Sequence, residues 1–160
     1  MKLRNPYFIE NLFTDQPYSS LILVTPYCYG TCYKCQNKNL NNFDIKDFSL
    51  GELMDEYKNN PFVDGVTVAG LEICDSGDDF ITDLIILIKE LHIKKLTIYS
   101  RYYLVDDVLS NIVKKCIELD LEEFYVKTGE YIHNSNSKII KIGNWSITLA
   151  SDNQNFEKII

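Results

Sequence analysis

Short β-branched runs alternate with longer stretches of helical period along this chain, and that alternation limits its fold more than any other feature. A strand that feeds a helix and then a second parallel strand builds an α/β domain. Residues 20–25 (Ser-Leu-Ile-Leu-Val-Thr) read as a buried strand ended by Pro26, 65–70 as a second, 96–100 as a third and 124–127 as a fourth. Between the first two, Ser49 caps a helix over 50–59, with Glu52 completing a capping box. Asp78 or Asp79 opens the next helix, whose Phe80, Ile81, Leu84, Ile85, Leu87 and Ile88 make a broad apolar face. A third helix over 105–119 sets Val105, Leu109, Ile112, Val113 and Cys116 on one stripe. After Gly129 the pattern changes: 138–142 and 145–149 flank Gly143-Asn144 as a hairpin. Right-handed crossovers stack the helices on one face of a curved sheet. Four or five βα units are too few to close an eight-fold barrel. The expected architecture is therefore an open, partial (β/α) barrel with a short C-terminal β extension, in one domain over residues 1–160.

Charge narrows the partners. Sixteen basic residues against 23 acidic ones leave a net charge of −7, and an acidic surface repels phosphate backbones and anionic lipids. Neither nucleic acid nor a membrane surface is expected. The longest apolar runs, 21–24 and 84–88, are sized for a core rather than a bilayer. The basic start, Met1 to Pro6, is not followed by an apolar stretch, so no secretory signal is read and a cytoplasmic location is expected. Five cysteines, three of them within eight residues, suit a metal or cluster site better than a disulfide framework.

Those three stand directly after the first strand: Cys28-Tyr29-Gly30-Thr31-Cys32-Tyr33-Lys34-Cys35-Gln36-Asn37, a C-x3-C-x2-C-x-N arrangement. Loops at the C-terminal ends of parallel strands are where such folds carry chemistry. Thiolates are the preferred ligands of iron–sulfur clusters. Three of them in one loop hold three irons of a 4Fe–4S cube and leave the fourth open to chelate a substrate. Gly30 and Asn37 are expected where the loop turns tightly.

The motif resembles that of the radical S-adenosylmethionine superfamily. Small size and the order of further motifs are similar to the activating component of the anaerobic ribonucleotide reductase. That family's Gly-Gly-Glu/Asp-Pro turn is matched by Gly70-Leu71-Glu72-Ile73, with Leu71 for the second glycine and Ile73 for the proline. Its aromatic strand ending in Thr-Gly-Tyr is matched loosely by Ile98-Tyr99-Ser100-Arg101-Tyr102, with Arg101 for the glycine. Lys127-Thr128-Gly129-Glu130-Tyr131 and Ser151-Asp152-Asn153-Gln154 resemble its last two segments. The resemblance implies a 4Fe–4S cluster on Cys28, Cys32 and Cys35. It also implies S-adenosylmethionine contacts from Tyr33, Asn37, Gly70, Leu71, Glu72, Ser100 and Lys127, Glu72 accepting hydrogen bonds from the ammonium group. The implied activity is reductive cleavage of S-adenosylmethionine to a 5′-deoxyadenosyl radical, which generates a glycyl radical on a large partner enzyme. The implied electron donor is a flavodoxin or ferredoxin.

Two other readings stay open. One is a radical enzyme of the same superfamily acting on a different protein, a peptide or a small molecule. The other is a non-enzymatic module stapled by zinc, with His92 or His133 as the fourth ligand to the cysteines. Of the remaining candidates, Cys116 reads as a small core residue and Cys74 as buried near the site. His92 closes a helix where a cation suits the dipole. The acidic run from Asp75 to Asp79 reads as a solvated turn before a helix N-terminus.

Overall fold

The computed structural model describes all of residues 1–160. In chain order the elements are β1 (Lys2–Arg4), β2 (Phe8–Leu12), β3 (Ser19–Val24), β4 (Ile45–Asp47), α1 (Leu50–Lys58), β5 (Gly65–Ala69) and α2 (Asp78–Glu90). They continue with β6 (Lys95–Tyr99), α3 (Asp107–Ile117), β7 (Glu123–Thr128), β8 (Lys138–Ile142), β9 (Trp145–Leu149) and β10 (Asn155–Lys158). Six strands form the main sheet in the order β10-β7-β6-β5-β3-β2. The four central strands run parallel, and β2 and β10 join antiparallel at the two edges. Those edges do not pair with each other, so the sheet is open.

Strand residues alternate between its faces. Leu21, Leu23, Val66, Val68, Leu96, Ile98, Phe124 and Val126 share one buried cluster with Leu53 of α1, Leu84 of α2 and Leu109 of α3. All three helices therefore cover the same face. The other face is polar at its centre. Tyr18 donates to the Val66 carbonyl at 3.1 Å and lies 2.8 Å from Thr97 Oγ1, while Thr67 Oγ1 donates to Ser20 at 3.0 Å. Beside this row Tyr18, Tyr125 and Phe156 pack with Ile147 and Leu149 of the β8–β9 hairpin.

Local signals explain the helix ends. Ser49 and Glu52 form the expected capping box on α1. α2 ends with His92 at φ +51°; its N–H and that of Ile93 donate to Lys89 and Ile88, the paired bonds of a Schellman motif. α3 starts later than the sequence predicts. Asp106 accepts from the Tyr103 N–H at 2.7 Å and donates its own N–H back to Tyr103, so a turn occupies the expected first residues. Val105 is consequently 89% exposed instead of lying on the buried stripe. β1, β2, β4 and β10 were not foreseen; all are edge strands with mixed or polar sequences. No helix is long and apolar enough to cross a membrane.

Candidate metal centre

Strand β3 ends at Val24, and the chain leaves the sheet through Thr25 and Pro26 into the cysteine loop. The base of that loop is gripped by Arg4, which is 7% exposed. Its Nε donates to the Pro26 carbonyl at 2.7 Å, and its Nη1 donates to Asn41 at 3.0 Å and Phe43 at 2.7 Å. One guanidinium thus ties the start of the loop to its end. Nothing in the sequence pattern singled out Arg4.

Within the loop Cys28, Cys32 and Cys35 are each half-buried, and all are free thiols. Burial raises the thiol pKa of Cys28 and of Cys32. The Cys35 N–H donates to the Cys32 carbonyl at 3.3 Å, a turn passing through Lys34 at φ +53°. The left-handed bend is therefore at Lys34 and not at Gly30, while Asn37 lies in the next turn, which the Lys38 N–H closes on the Cys35 carbonyl at 3.2 Å. Asn37 is exposed and precedes a 3-10 turn over Lys38–Asn42, with no side-chain cap. Gly30 is needed for a different reason: a Cβ there would stand 3.3 Å from Cys28 Sγ and 3.1 Å from Cδ and Nε of Arg101. The three sulfurs share one loop, but no three His, Cys, Asp or Glu side chains converge at the spacing of a bound ion.

Next to the loop lies a dense polar hub. Gly70, at φ +101°, ends β5, and a Cβ there would meet Val24 Cγ1 at 2.6 Å. The Leu71 N–H donates to Thr25 Oγ1 at 2.8 Å and the Glu72 N–H to the Tyr27 carbonyl at 2.9 Å, which stitches the turn to the start of the cysteine loop. Glu72 is 1% exposed. Its Oε1 accepts from Ser100 Oγ at 2.7 Å and from the Cys74 N–H at 3.1 Å, and its Oε2 accepts from the Arg101 N–H at 2.7 Å. The carboxylate expected to face a ligand is engaged by its own chain. Ile73, where the resembling family has proline, is fully buried in the main core.

Arg101 fills the space between hub and loop. Its Nη2 donates to the Tyr102 hydroxyl at 2.6 Å and lies 3.6 Å from Asp75 Oδ2. Asp75 Oδ2 also accepts the Tyr29 N–H at 2.7 Å. Asp75 therefore holds the cysteine loop and is not a merely solvated residue of the acidic run. On β7, Lys127 is half-buried on the polar face, its Nζ 5.3 Å from the Tyr99 ring centre, and burial lowers its pKa.

The far wall of the site comes from the C-terminal third. Gly129 (φ +94°) lets Gln154 approach, since a Cβ would stand 3.0 Å from its Cα. Gln154 Nε2 donates to the Gly129 carbonyl at 3.2 Å, and Asn153 Nδ2 donates to the Tyr103 hydroxyl and the Glu130 carbonyl, each at 3.0 Å. Thr31, Cys32, Tyr33, Glu130, Tyr131 and His133 line a hollow of about 350 Å³. The Tyr33 ring meets His133 edge-on at 5.5 Å, and Cys32 Sγ lies 3.9 Å from Glu130 Oε2. His92 follows α2 and leads into the start of β6, at the opposite end of the parallel strands from the cysteines, so it is not a candidate fourth ligand. Cys116 is a fully buried core residue, and Cys74 is half-buried with its sulfur 3.6 Å from Ser100 Oγ. Burial pushes both thiols up to about 12.

No protein-family model, curated protein or solved structure matches the chain. Any assignment of the site rests on its own residues.

Proposed function

We propose that Cys28, Cys32 and Cys35 hold a 4Fe–4S cluster and that the chain is a radical S-adenosylmethionine enzyme. Its proposed substrate is a large glycyl-radical enzyme of the anaerobic ribonucleotide reductase kind. The observation that carries the reading is one short loop bearing three thiols at the C-terminal end of a parallel strand, with Gly70, Glu72 and Ser100 on the neighbouring strand ends. Three sulfurs and no hard oxygen ligand among them match iron–sulfur chemistry. Gly30 fits a loop that packs closely on itself, because a side chain there would crowd both Arg101 and Cys28.

Such a cluster supplies one-electron cleavage of S-adenosylmethionine, the source of the radical. The remaining work belongs to the chain's side chains and backbone. Gly70 and Leu71 present main chain at a turn pinned to Thr25, which gives the methionine part of the cofactor a rigid wall. Glu72 acts through the groups it holds, fixing Ser100 Oγ and the Arg101 backbone. Lys127 offers an ammonium group without an ion-pair partner on the polar face, suited to a carboxylate. Tyr33 and Asn37, both exposed on the loop, are the proposed contacts to S-adenosylmethionine from this side. The electron donor is a flavodoxin or ferredoxin, and the five free thiols suit a reducing cytoplasm.

Anaerobic reconstitution with iron, sulfide, reductant and S-adenosylmethionine tests the reading. Bound iron and sulfide with release of 5′-deoxyadenosine support it. Zinc alone, with no such release, supports the stapled module, for which His133, lining the same hollow as Cys32, is the candidate fourth ligand. Release that is unaffected by glycyl-radical enzymes but raised by a peptide or small molecule supports the wider superfamily reading.

A further inference from the structure

Only two buried side-chain polar atoms in the chain lack a hydrogen-bond partner: Arg101 Nε and Asn153 Oδ1. Leaving a buried group unpaired costs roughly 1–3 kcal/mol, so each needs a reason. The Arg101 case is the sharper one, because the group belongs to a charged guanidinium whose Nη2 is already engaged. Nη2 serves Tyr102 and Asp75, and the guanidinium carbon lies 4.2 Å from the Tyr102 ring centre. Glu72 Oε2, at 4.0 Å from Nε, balances the charge but is beyond hydrogen-bond reach. Nε instead shares the space above Gly30 with Cys28. Both Nε and Cys28 Sγ crowd the same point above Gly30, at 3.1 and 3.3 Å.

Resting on the cluster reading, we propose that Arg101 is a positioning residue for the cysteine loop and directs its free Nε–H to the Cys28 sulfur, making the cluster held there easier to reduce. The physical basis is twofold. Hydrogen bonds and positive charge beside a ligating sulfur stabilise the more negative, reduced state. Through Asp75, which also accepts the Tyr29 N–H, the same guanidinium fixes the segment next to Cys28. Residue 101 is where the chain departs from the family it resembles, and the departure brings a cation to the first cysteine.

The test compares wild type with Arg101→Met and Arg101→Lys after anaerobic reconstitution. Both variants should bind as much iron and sulfide as wild type. In a dithionite titration followed by electron paramagnetic resonance, Arg101→Met should show a threefold to tenfold fall in the reduced-to-oxidised ratio at the wild-type midpoint, a shift of about 30 to 60 mV. Arg101→Lys, which keeps the charge, should fall by less. An unchanged midpoint in Arg101→Met overturns the proposal. If wild type takes up no iron and sulfide, the functional reading fails and the positioning role is decided on the metal-free chain. There, hydrogen exchange at the Tyr29 amide should be roughly threefold faster in Arg101→Met, as loss of a partly exposed ion pair implies. Equal exchange at Tyr29, with core strand amides unchanged, refutes it.

Discussion

The cysteine loop and the 70–76 turn follow neighbouring parallel strands, β3 and β5, yet they are built in opposite ways. The turn is locked to its neighbours: Glu72 is buried and binds Cys74 within the turn and Ser100 and Arg101 beyond β6, while Gly70 fits against Val24 with no room for a Cβ. The loop is secured at its base by Arg4 and near Cys28 by Asp75, but its three thiols point to no common partner. One region has its energy stored in internal bonds before any ligand arrives. The other leaves its strongest ligating atoms unspent. A site made this way has a stiff wall and a receptive lip, and the two halves should respond differently to substitution.

The largest contrast is expected from Cys28→Ala, Cys32→Ala and Cys35→Ala. Each should abolish iron and sulfide uptake, measured after anaerobic reconstitution. Unfolding of the metal-free chain in urea should change by no more than about 0.5 kcal/mol, since the one side-chain hydrogen bond of these thiols is the long Cys32–Glu130 contact at 3.9 Å. Full uptake in all three variants would remove the loop from the site. Glu72→Ala should do the reverse and destabilise the metal-free chain by about 3 kcal/mol, because Ser100, the Cys74 amide and the Arg101 amide lose their shared acceptor. A midpoint in urea close to wild type would show that the turn is not the stiff half. Gly70→Ala comes next, at about 2 kcal/mol, from the left-handed backbone and the 2.6 Å approach to Val24. Smaller in stability than Gly70→Ala is Gly30→Ala, at about 1 kcal/mol or less, because the flexible Arg101 side chain can give way. Its signature should be slower iron uptake with near-normal thermal unfolding; loss of stability as large as that of Gly70→Ala would place Gly30 with the rigid wall.

Much of this was readable from residue order, and the failures share a cause. The central strands, the Ser49–Glu52 box, the apolar face of α2 and the Gly143-Asn144 hairpin are local patterns with local physics, and each formed where expected. The edge strands β2 and β10 are not local in this sense. Phe8-Ile9-Glu10-Asn11-Leu12 and Asn155-Phe156-Glu157-Lys158 carry mixed polarity because one side meets water, and only pairing with β3 and β7 makes them strands. Val105 was misplaced because the aspartate at 106 captured the backbone before the helix began. At the site, the cysteine spacing announced itself, whereas the roles of Arg4 and Arg101 depend on partners at sequence separations that no motif encodes. Lys34 shows the same limit on a small scale: the left-handed turn fell on lysine, one residue before Cys35, although glycine and asparagine stood nearby.

On the proposed cluster reading, Arg4 has a consequence for how the loop would be loaded. By bonding to Pro26 on one side and to Asn41 and Phe43 on the other, it keeps the mouth of the excursion at constant width, like the drawstring of a pouch. The chain-closure entropy of that excursion is met during folding rather than at metal capture. On the proposed reading, rearrangement that gathers the sulfurs would be confined to the residues between Pro26 and Asn41 and would leave β3 as it is.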